Sequence, residues 1–457
     1  MIARCARRTG GRALVRRPRG TAVPGAVHWW PKGPRTMENT AAMTTLSILL
    51  QPMRRVAARA GVIGLAAILL PGAPAWAMSL EERESLDLSH YTVTDPGASY
   101  FDVKERRALL EDTRNPMLLQ IAQDLKTGPS CAQLMALPAM DHRIRIPGFY
   151  PQPDAWRVAA QPLFQFEDSV TELAGSYVAS GDAYYAECLV RFLDKWARAD
   201  ALLDFYYTIS EPQAWYSTES MIFAAALAYS VVRNEVDGMD EQTDRVDDWL
   251  RRLAQVHSEI PGEDPSCCNN HFYRRALYAA MIGVMSQDDD LFQFGVSAIY
   301  SALHDLTEEG ALPLEMQRGR RAMHYQNYAL LYLIPIMQIV ERQGYDVFEM
   351  EVNGHSIHDA VRFAINTIQD PNRLGDLAPR DQYKGFLLDD QYFAWMEMYL
   401  SRFDNAKLSE FIRFQRPVYN RSAGGYVTLY FMNPEAQVQT VARDKRKELV
   451  TEGESSW

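Results

Sequence analysis

Apolar residues recur every three or four positions along most of the chain between residues 158 and 402. This spacing places them on one face of an α-helix, so it predicts a series of amphipathic helices. The predicted helices cover residues 158–180, 183–201, 212–235, 240–258, 270–286, 289–306, 321–343, 355–368 and 388–402. Short turns such as Ser180-Gly181-Asp182 separate them. Consecutive antiparallel helices with short connections are typical of helix hairpins wound into a ring.

Two stretches depart from this helical pattern. Gly425 to Met432 is rich in β-branched and aromatic residues, and it is the one segment for which we predict a strand. Residues 138–157 contain several prolines and exposed charges, so we predict a long loop there. A loop of this length in a compact helical domain is often a lid over a site, although an ordinary surface loop is the alternative.

The first 77 residues differ in composition from the rest, with twelve Lys and Arg but one acidic residue, Glu38. A basic segment from Met53 to Arg59 precedes an apolar run from Val62 to Leu70, and small residues follow up to Ala77. This order is typical of a secretory signal peptide, and the apolar run is too short for a membrane span. We therefore predict an extension and signal peptide over residues 1–77 with cleavage near Ala77. The mature domain would cover residues 78–457, lie in the periplasm or outside the cell, and not span the membrane.

The predicted mature chain is strongly acidic. Residues 78–457 keep 35 of the 47 basic and 57 of the 58 acidic side chains, which gives a net charge of −22. A protein of this charge is a poor partner for nucleic acid. A site for an anionic polymer would have to be a local cationic pocket. The candidates to build it are Arg145, Arg274, Arg275, Arg320 and Arg321.

Four cysteines follow residue 77, namely Cys131, Cys188, Cys267 and Cys268. An even number in an exported protein indicates disulfides. Four cysteines allow three pairings, and free thiols at the adjacent Cys267 and Cys268 are a further alternative. The sequence contains no Cys/His cluster with zinc spacing, so it predicts neither a metal nor a cofactor.

Two short runs carry the candidate chemistry. The first is Cys267-Cys268-Asn269-Asn270-His271-Phe272-Tyr273, and the second is Arg320-Arg321-Ala322-Met323-His324-Tyr325-Gln326-Asn327-Tyr328. On a helix, one stripe holds Arg321, His324, Tyr325 and Tyr328. A cation, an imidazole and two phenols are costly to bury without partners. The stripe is therefore predicted to line a wet cleft.

These runs resemble the alginate lyases of polysaccharide lyase family 5, which carry Asn-Asn-His-x-Tyr and, later, an Arg seven residues before the last Tyr of Tyr-x-Asn-Tyr. The similarity extends over roughly residues 91–431, with landmarks such as Gln213-Ala214-Trp215-Tyr216 and Ala423-Gly424-Gly425. The resemblance implies an all-α fold, an incomplete (α/α) toroid with a central groove. It implies cleavage of mannuronate-type alginate by β-elimination. It also favours a Cys131–Cys188 disulfide and a vicinal Cys267–Cys268 disulfide.

Cleavage of a uronate polymer by β-elimination needs donors that neutralise the carboxylate, a base for the C5 proton and an acid for the leaving oxygen. Asn270 and Arg321 suit the first task. His271 could donate to the same carboxylate or act as a base. The resemblance assigns both proton transfers to Tyr328. Further substrate contacts are expected from Tyr150, Trp215, Tyr216, Tyr325 and Arg421.

Each candidate also has a purely structural interpretation. His271 could be satisfied by backbone groups at a helix N-terminus, Asn270 could be an N-cap, Arg321 a solvated charge and Tyr328 a core residue. A hydrolase is a rival function, and it would need paired carboxylates, for which Glu315 and Asp389-Asp390 are the candidates. A non-catalytic polysaccharide-binding protein is a second rival, because it would keep the aromatic residues alone.

Arg421 lies in a run one residue longer than the family's Arg-x-x-Gly-Gly-like run. Two other departures from the family pattern bear on the substrate. Phe272-Tyr273-Arg274 stands where alginate lyases usually have Ser-Tyr-Trp, and Gly148-Phe149 replaces basic residues before the lid tyrosine. We expect these two changes to alter the groove, so a glucuronate-containing exopolysaccharide is an alternative substrate. The expected oligomeric state is a monomer, and the sequence leaves endo or exo action open.

Overall fold

The computed structural model describes residues 77–148, 152–205, 213–260 and 268–437 of the 457-residue chain. All the described residues belong to one compact unit. The predicted signal peptide before Ala77 lies outside the described residues, as do Phe149, Tyr150 and Cys267. No helix in the described ranges combines the length and the apolar character needed to cross a membrane.

The described residues form sixteen α-helices and five short 3-10 helices. The α-helices are α1 Leu80–Glu84, α2 Val103–Asp112, α3 Pro116–Leu125, α4 Cys131–Leu134, α5 Pro153–Ser180, α6 Ala183–Arg198, α7 Gln213–Val232, α8 Asp240–Ser258, α9 Asn270–Ser286, α10 Asp289–Asp305, α11 Pro313–Met316, α12 Ala322–Glu341, α13 Ile357–Gln369, α14 Ala394–Leu400, α15 Ala406–Ile412 and α16 Val427–Phe431. The 3-10 helices are Gly319–Arg321, Pro371–Leu374, Gly385–Leu388, Asp390–Phe393 and Arg421–Ala423.

The long helices form two sets. Helices α5, α7, α9, α12 and α14 contact one another in succession, and α6, α8, α10 and α13 each pack against members of that first set. The first set forms the core of the molecule, because most residues of α7, α9 and α12 are buried. This order is that of an (α/α) toroid. Within the described ranges there is no strand, only two isolated bridges, so the all-α prediction is confirmed.

The strand predicted at Gly425 to Met432 is wrong, because Val427–Phe431 forms the short helix α16. The guanidinium of Arg106 donates to the carbonyl oxygens of Thr428, Leu429 and Met432. It therefore satisfies the carbonyls that a helix end leaves without partners. Tertiary contacts here override the β-propensity of the segment. The helix predicted at 388–402 is likewise shorter, since two 3-10 helices precede α14.

The loop predicted at residues 138–157 ends earlier than expected, since α5 begins at Pro153 with proline in its first turn. Its first part is fixed to the residues that follow α6. The N–H of Ile144 donates to the Asp204 carbonyl at 3.0 Å, and the N–H of Leu202 donates to the Met140 carbonyl at 3.2 Å. A disulfide joins Cys131 of α4 to Cys188 of α6, which is the pairing that the resemblance favoured.

Candidate active site

The N-terminus of α9 is held by a buried carboxylate. Asn269 is the N-cap, and its side chain accepts a hydrogen bond from the backbone N–H of His271 at 2.9 Å. Asn270 begins the helix. It donates to Glu315 from its backbone N–H at 2.7 Å and from its amide at 3.0 and 3.1 Å to the two carboxylate oxygens. Asn270 and Glu315 are 0% and 1% exposed. Asn270 is therefore not the N-cap, and its amide group is engaged by the protein itself.

His271 follows on the first turn of α9 and remains partly exposed. Its ring lies face to face with Tyr216, with 4.4 Å between centroids and 14° between planes. Its Nδ1 is buried and has no hydrogen-bond partner among the described residues, so the backbone does not satisfy the ring. Burial, and then the positive charges of Arg274, Arg318 and Arg275, lower the pKa of His271 well below its ordinary value. The imidazole is therefore neutral at physiological pH.

The predicted stripe of α12 is present. The side chains of Arg321, His324, Tyr325 and Tyr328 are partly exposed, whereas the residues between them are buried. Arg321 ends a 3-10 helix and precedes α12, and its guanidinium lies 5.2 Å from the centroid of the Tyr383 ring. The four side chains thus face a partly solvated surface, as the sequence predicted.

Tyr328 lies within a cluster of aromatic side chains. Its ring centroid is 5.0 Å from that of Tyr332, 5.9 Å from Tyr392 and 6.0 Å from His324. Burial, followed by electrostatic and hydrogen-bond interactions with Tyr328, raises the pKa of Tyr332 well above its ordinary value. Tyr332 therefore stays protonated, and its hydroxyl can donate to Tyr328. Tyr328 is partly exposed and is not a core residue.

Arg274 connects the two runs. It projects from α9, and its Nη2 donates to the Tyr216 carbonyl and to Ser220 Oγ, each at 2.9 Å. Its guanidinium also lies 6.0 Å from the Tyr216 ring and 5.8 Å from the Tyr332 ring. Because Tyr216 stacks on His271 and Tyr332 packs on Tyr328, Arg274 is one side chain away from each candidate catalytic group.

Comparison with known proteins shows the family of this chain. Residues 93–374, more than half of the chain, match the family model described as alginate lyase. The chain belongs to the alginate lyase family. A polysaccharide lyase of Stenotrophomonas maltophilia is 29% identical over 272 residues, which cover 59% of this chain and 79% of that protein. An alginate lyase of Pseudomonas aeruginosa is 28% identical over 280 residues, 60% of this chain and 76% of that protein.

Solved structures show the same similarity. Alginate lyase A1-III from Sphingomonas species A1 is 33% identical, with a TM-score of 0.71 over 77% of this chain and 100% of that chain. A Tyr-to-Phe variant of alginate lyase A1-III complexed with tetrasaccharide has a TM-score of 0.69, at 33% identity and the same coverage. These matches confirm the (α/α) toroid. Family membership makes the protein a polysaccharide lyase with an acidic polysaccharide as substrate.

The residues predicted to contact the substrate differ in how exposed their side chains are. Trp215 is 5% exposed, so it supports the neighbouring Tyr216 ring at 3.8 Å and offers no surface of its own for a sugar. Tyr216 and Tyr325 are partly exposed. Arg421 forms an ion pair with Asp168 on α5, with Nη2 at 3.1 Å from Oδ2. Asp168 thus occupies the guanidinium that was predicted to bind a substrate carboxylate. Tyr150 lies outside the described residues.

The cationic pocket contains fewer of the expected arginines than the sequence suggested. Arg320 pairs with Asp381 at 2.7 Å on the surface. Arg274 and Arg275 are buried, at 3.8 and 3.9 Å from the carboxylate oxygens of Glu219. Arg145 is exposed on the loop before α5, and Arg321 is partly exposed on the α12 stripe.

Phe272 does not alter the groove as expected. It is 1% exposed and faces α10, where its ring lies 5.3 Å from that of Phe294 and 4.5 Å from the guanidinium of Arg83. Of the two substitutions in the Phe272-Tyr273-Arg274 run, Arg274 alone therefore contacts the site.

Sequence reasoning missed Arg318. Its guanidinium lies 4.9 Å from the Tyr325 ring, and its Nε lies 3.7 Å from Glu315. It also contributes to the low pKa of His271. The signal was available, because Glu315 and Arg318 are spaced i, i+3 just before the Arg321 stripe. Among the described residues, no group of three His, Cys, Asp or Glu side chains could hold a metal ion.

Proposed function

We propose that this polysaccharide lyase cleaves a 4-O-linked uronate polymer of the mannuronate type by β-elimination. The observation that carries the proposal is the arrangement of a neutral imidazole at His271 and a phenol at Tyr328 on either side of Arg274, with Arg321 at the start of the same stripe. Together they supply donors, a fixed cation and a group able to exchange protons. These are the three requirements of the elimination.

The reaction begins when the uronate carboxylate binds beside Arg321 and His271. The guanidinium is permanently charged, and the neutral imidazole donates one N–H, so both stabilise the extra negative charge that forms when C5 loses its proton. The Tyr328 phenolate removes that proton. The C4–O4 bond then breaks, a C4–C5 double bond forms, and the Tyr328 hydroxyl returns the proton to O4. The role of Asn270 is to hold the start of α9 on Glu315, which orients His271.

The surroundings of the carboxylates do not favour hydrolysis. A glycoside hydrolase needs two accessible carboxyl groups on opposite sides of the bond. Glu315 is buried and accepts hydrogen bonds from Asn270. Asp389 caps the 3-10 helix Asp390–Phe393 and accepts from the Gln391 amide. The Glu315 and Asp389 carboxylates are thus engaged in hydrogen bonds within the protein, so we propose elimination rather than hydrolysis.

Stereochemistry favours mannuronate. A single tyrosine can serve as base and acid only if H5 and O4 lie on the same face of the sugar ring, which holds for mannuronate and glucuronate. Guluronate, the C5 epimer, places H5 on the opposite face and would need His271 as a separate base. A glucuronate-containing exopolysaccharide is the second candidate substrate, because glucuronate differs from mannuronate at C2 only and Arg274 departs from the family pattern.

We further propose that the protein acts as a monomer in the periplasm or outside the cell. The sequence before Ala77 supports export, since it has the order of a signal peptide. The disulfide between Cys131 and Cys188 agrees with an oxidising compartment.

The decisive experiment incubates the purified enzyme with poly-mannuronate, poly-guluronate and a glucuronate polymer. Elimination gives products with a C4–C5 double bond, which absorb in the ultraviolet and have the mass of the sugars without added water. We expect rapid formation of such products from poly-mannuronate and slow formation from poly-guluronate. Products that have gained water would show a hydrolase, and a preference for poly-guluronate would contradict the single-tyrosine mechanism.

A further inference from the structure

Arg274 is a buried cation at the centre of the site, in a position where the sequence departs from the family. It follows Tyr273 in the Asn-Asn-His run and is 7% exposed. Three rings surround its guanidinium, at 6.0 Å for Tyr216, 5.7 Å for Phe223 and 5.8 Å for Tyr332. A guanidinium within about 6 Å of an aromatic centroid is attracted to the ring, most strongly where water is excluded. This cation is therefore held in one place.

The charge of Arg274 is only partly neutralised. Its Nε lies 3.8 Å from Glu219 Oε2 and has no hydrogen-bond partner among the described residues. Glu219 also lies 3.9 Å from Arg275 and 3.8 Å from His257, so one carboxylate faces two guanidinium groups. Burial lowers the pKa of Arg274, but the interactions with the nearby tyrosines and Glu219 together raise it by more, so Arg274 stays charged. The other carboxyl that faces Arg274 is that of Glu167, and burial raises its pKa to about 8, so it is mostly protonated at neutral pH. A net positive charge thus remains behind the site.

The positive charge of Arg274 lies near both candidate catalytic groups. Arg274 contacts the Tyr216 ring, which stacks on His271, and His271 is also influenced by the charges of Arg275 and Arg318. Arg274 also contacts the Tyr332 ring, which packs on Tyr328. The other titratable neighbours of Tyr328 are His324, Tyr325 and Tyr392. A cation disfavours a second positive charge on the imidazole and stabilises negative charge on the phenol oxygen. Both effects favour the forms that elimination requires.

We propose that Arg274 is a positioning residue of this site that acts through His271 and Tyr328, keeping the imidazole neutral and supporting negative charge on the phenol. The inference rests on the proposed elimination, and it adds the source of the charge that prepares the two groups. Arg274 is buried and its Nη2 is occupied by the Tyr216 carbonyl and Ser220 Oγ, so we assign it no contact with the substrate.

The test compares Arg274→Met with Arg274→Lys. Methionine fills the space between the three rings without charge, and lysine keeps the charge. We expect Arg274→Met to move the acid limb of the kcat/KM profile on poly-mannuronate upward by about 0.5–1 pH unit, which is roughly a three- to tenfold loss of activity below the limb. Arg274→Lys should keep the limb near the wild-type position. A purely structural role would lower the rate without moving the limb.

Arg275→Met is the matched control. Arg275 is the next residue on α9, is equally buried and faces the same Glu219, but its guanidinium lies 5.7 Å from the Trp215 ring. It is also a smaller cause of the low His271 pKa than Arg274. We expect Arg275→Met to move the limb less than Arg274→Met does. Equal shifts in the two variants, or no shift in Arg274→Met, would overturn the inference.

A titration of His271 by NMR gives a readout that does not need turnover, with the resonance assigned by a His271→Asn variant. Its protonation midpoint should rise in Arg274→Met, and an unchanged midpoint would overturn the inference. If Arg274→Met does not fold, Arg274→Gln removes the charge and keeps an amide donor for the Tyr216 carbonyl, and the same rise is expected. A wild-type enzyme that forms no unsaturated product from any uronate polymer would refute the proposed function, while the titration would still decide the role of Arg274.

Discussion

The carboxylate of Glu315 holds Asn270 from two sides, accepting its backbone N–H at 2.7 Å and its amide at 3.0 and 3.1 Å. Glu315 belongs to the short helix α11, whereas Asn270 begins α9. This contact fixes the start of the helix that carries His271 to the segment that leads into the Arg321 stripe. Glu315, considered from sequence as a possible acid of a hydrolase, thus joins the two halves of the lyase site.

Replacing Glu315 should harm both stability and turnover. Glu315→Gln loses the charge and one acceptor, so a buried donor of Asn270 is left poorly paired. We expect unfolding to become easier by about 1–3 kcal/mol in urea denaturation, together with a loss of kcat. Asp381→Asn, which breaks the exposed pair with Arg320, is the control and should cost no more than about 1 kcal/mol. Equal effects of the two substitutions would contradict this role of Glu315.

Tyr328→Phe removes the one oxygen proposed to carry the proton. We expect kcat on poly-mannuronate to fall by about 10²–10⁴-fold, the usual contribution of a general acid or base, while substrate binding is largely kept. Tyr332→Phe serves as comparison, because Tyr332 is buried and cannot reach the substrate. Its loss should be much smaller. Near wild-type kcat in Tyr328→Phe, followed by ultraviolet absorbance, would remove Tyr328 from the mechanism.

A buried ion pair outside the site should matter for folding alone. Arg416 Nε and Nη2 each lie 2.7 Å from an oxygen of Glu397, and both side chains are almost completely buried. Arg416→Ala leaves the Glu397 charge uncompensated, so we expect a loss of about 3–5 kcal/mol in the free energy of unfolding. The exposed i, i+4 pair of Arg191 and Glu187 is the control, and Arg191→Ala should cost at most about 1 kcal/mol. Comparable losses in the free energy of unfolding for the two variants would show that burial does not determine how much an ion pair contributes to stability.

His324 should make stability depend on pH. Burial, and then the charge of Arg321, lower the pKa of His324 to about 4. As pH falls, His324 of the unfolded chain is protonated near pH 6.5, whereas His324 of the native state is protonated only near pH 4. The native state is therefore favoured by the neutral His324 above pH 6.5, and this part of the free energy of unfolding is lost as pH falls towards 4. Its full size is at most roughly 3 kcal/mol. His324→Phe fits between Phe386 and Tyr383 and removes the titration. The stability difference between variant and wild type should change between pH 7 and pH 4, and a constant difference would contradict the argument.

Helices with clear polar turns at both ends were predictable from sequence. Predicted residues 240–258 and 270–286 match α8 and α9 in full, because Asp240 and Asn270 directly follow turn or capping residues. The segment around Val427 was not predictable. Its local pattern favours a strand, whereas its helical form is held by distant contacts, among them Arg106, more than 300 positions away along the chain.

The candidate site shows the same division. His271, Arg321 and Tyr328 were found because their spacing along the chain is regular and resembles a family motif. The place of Arg274 among three rings, and the burial of Trp215 and Phe272, depend on how α7, α9 and α12 pack, which no local pattern encodes.

The attachment of residues 131–144 to α6 and to the residues that follow it has a practical consequence for protein engineering. The Cys131–Cys188 disulfide, the Lys195 hydrogen bonds and the Ile144 backbone contact fix this segment independently of the residues after it. Helix α5 begins at Pro153. The residues between Ile144 and Pro153 can therefore be replaced as a unit. Libraries confined to residues 145–152 could be screened for new polymers while both flanking attachments remain unchanged.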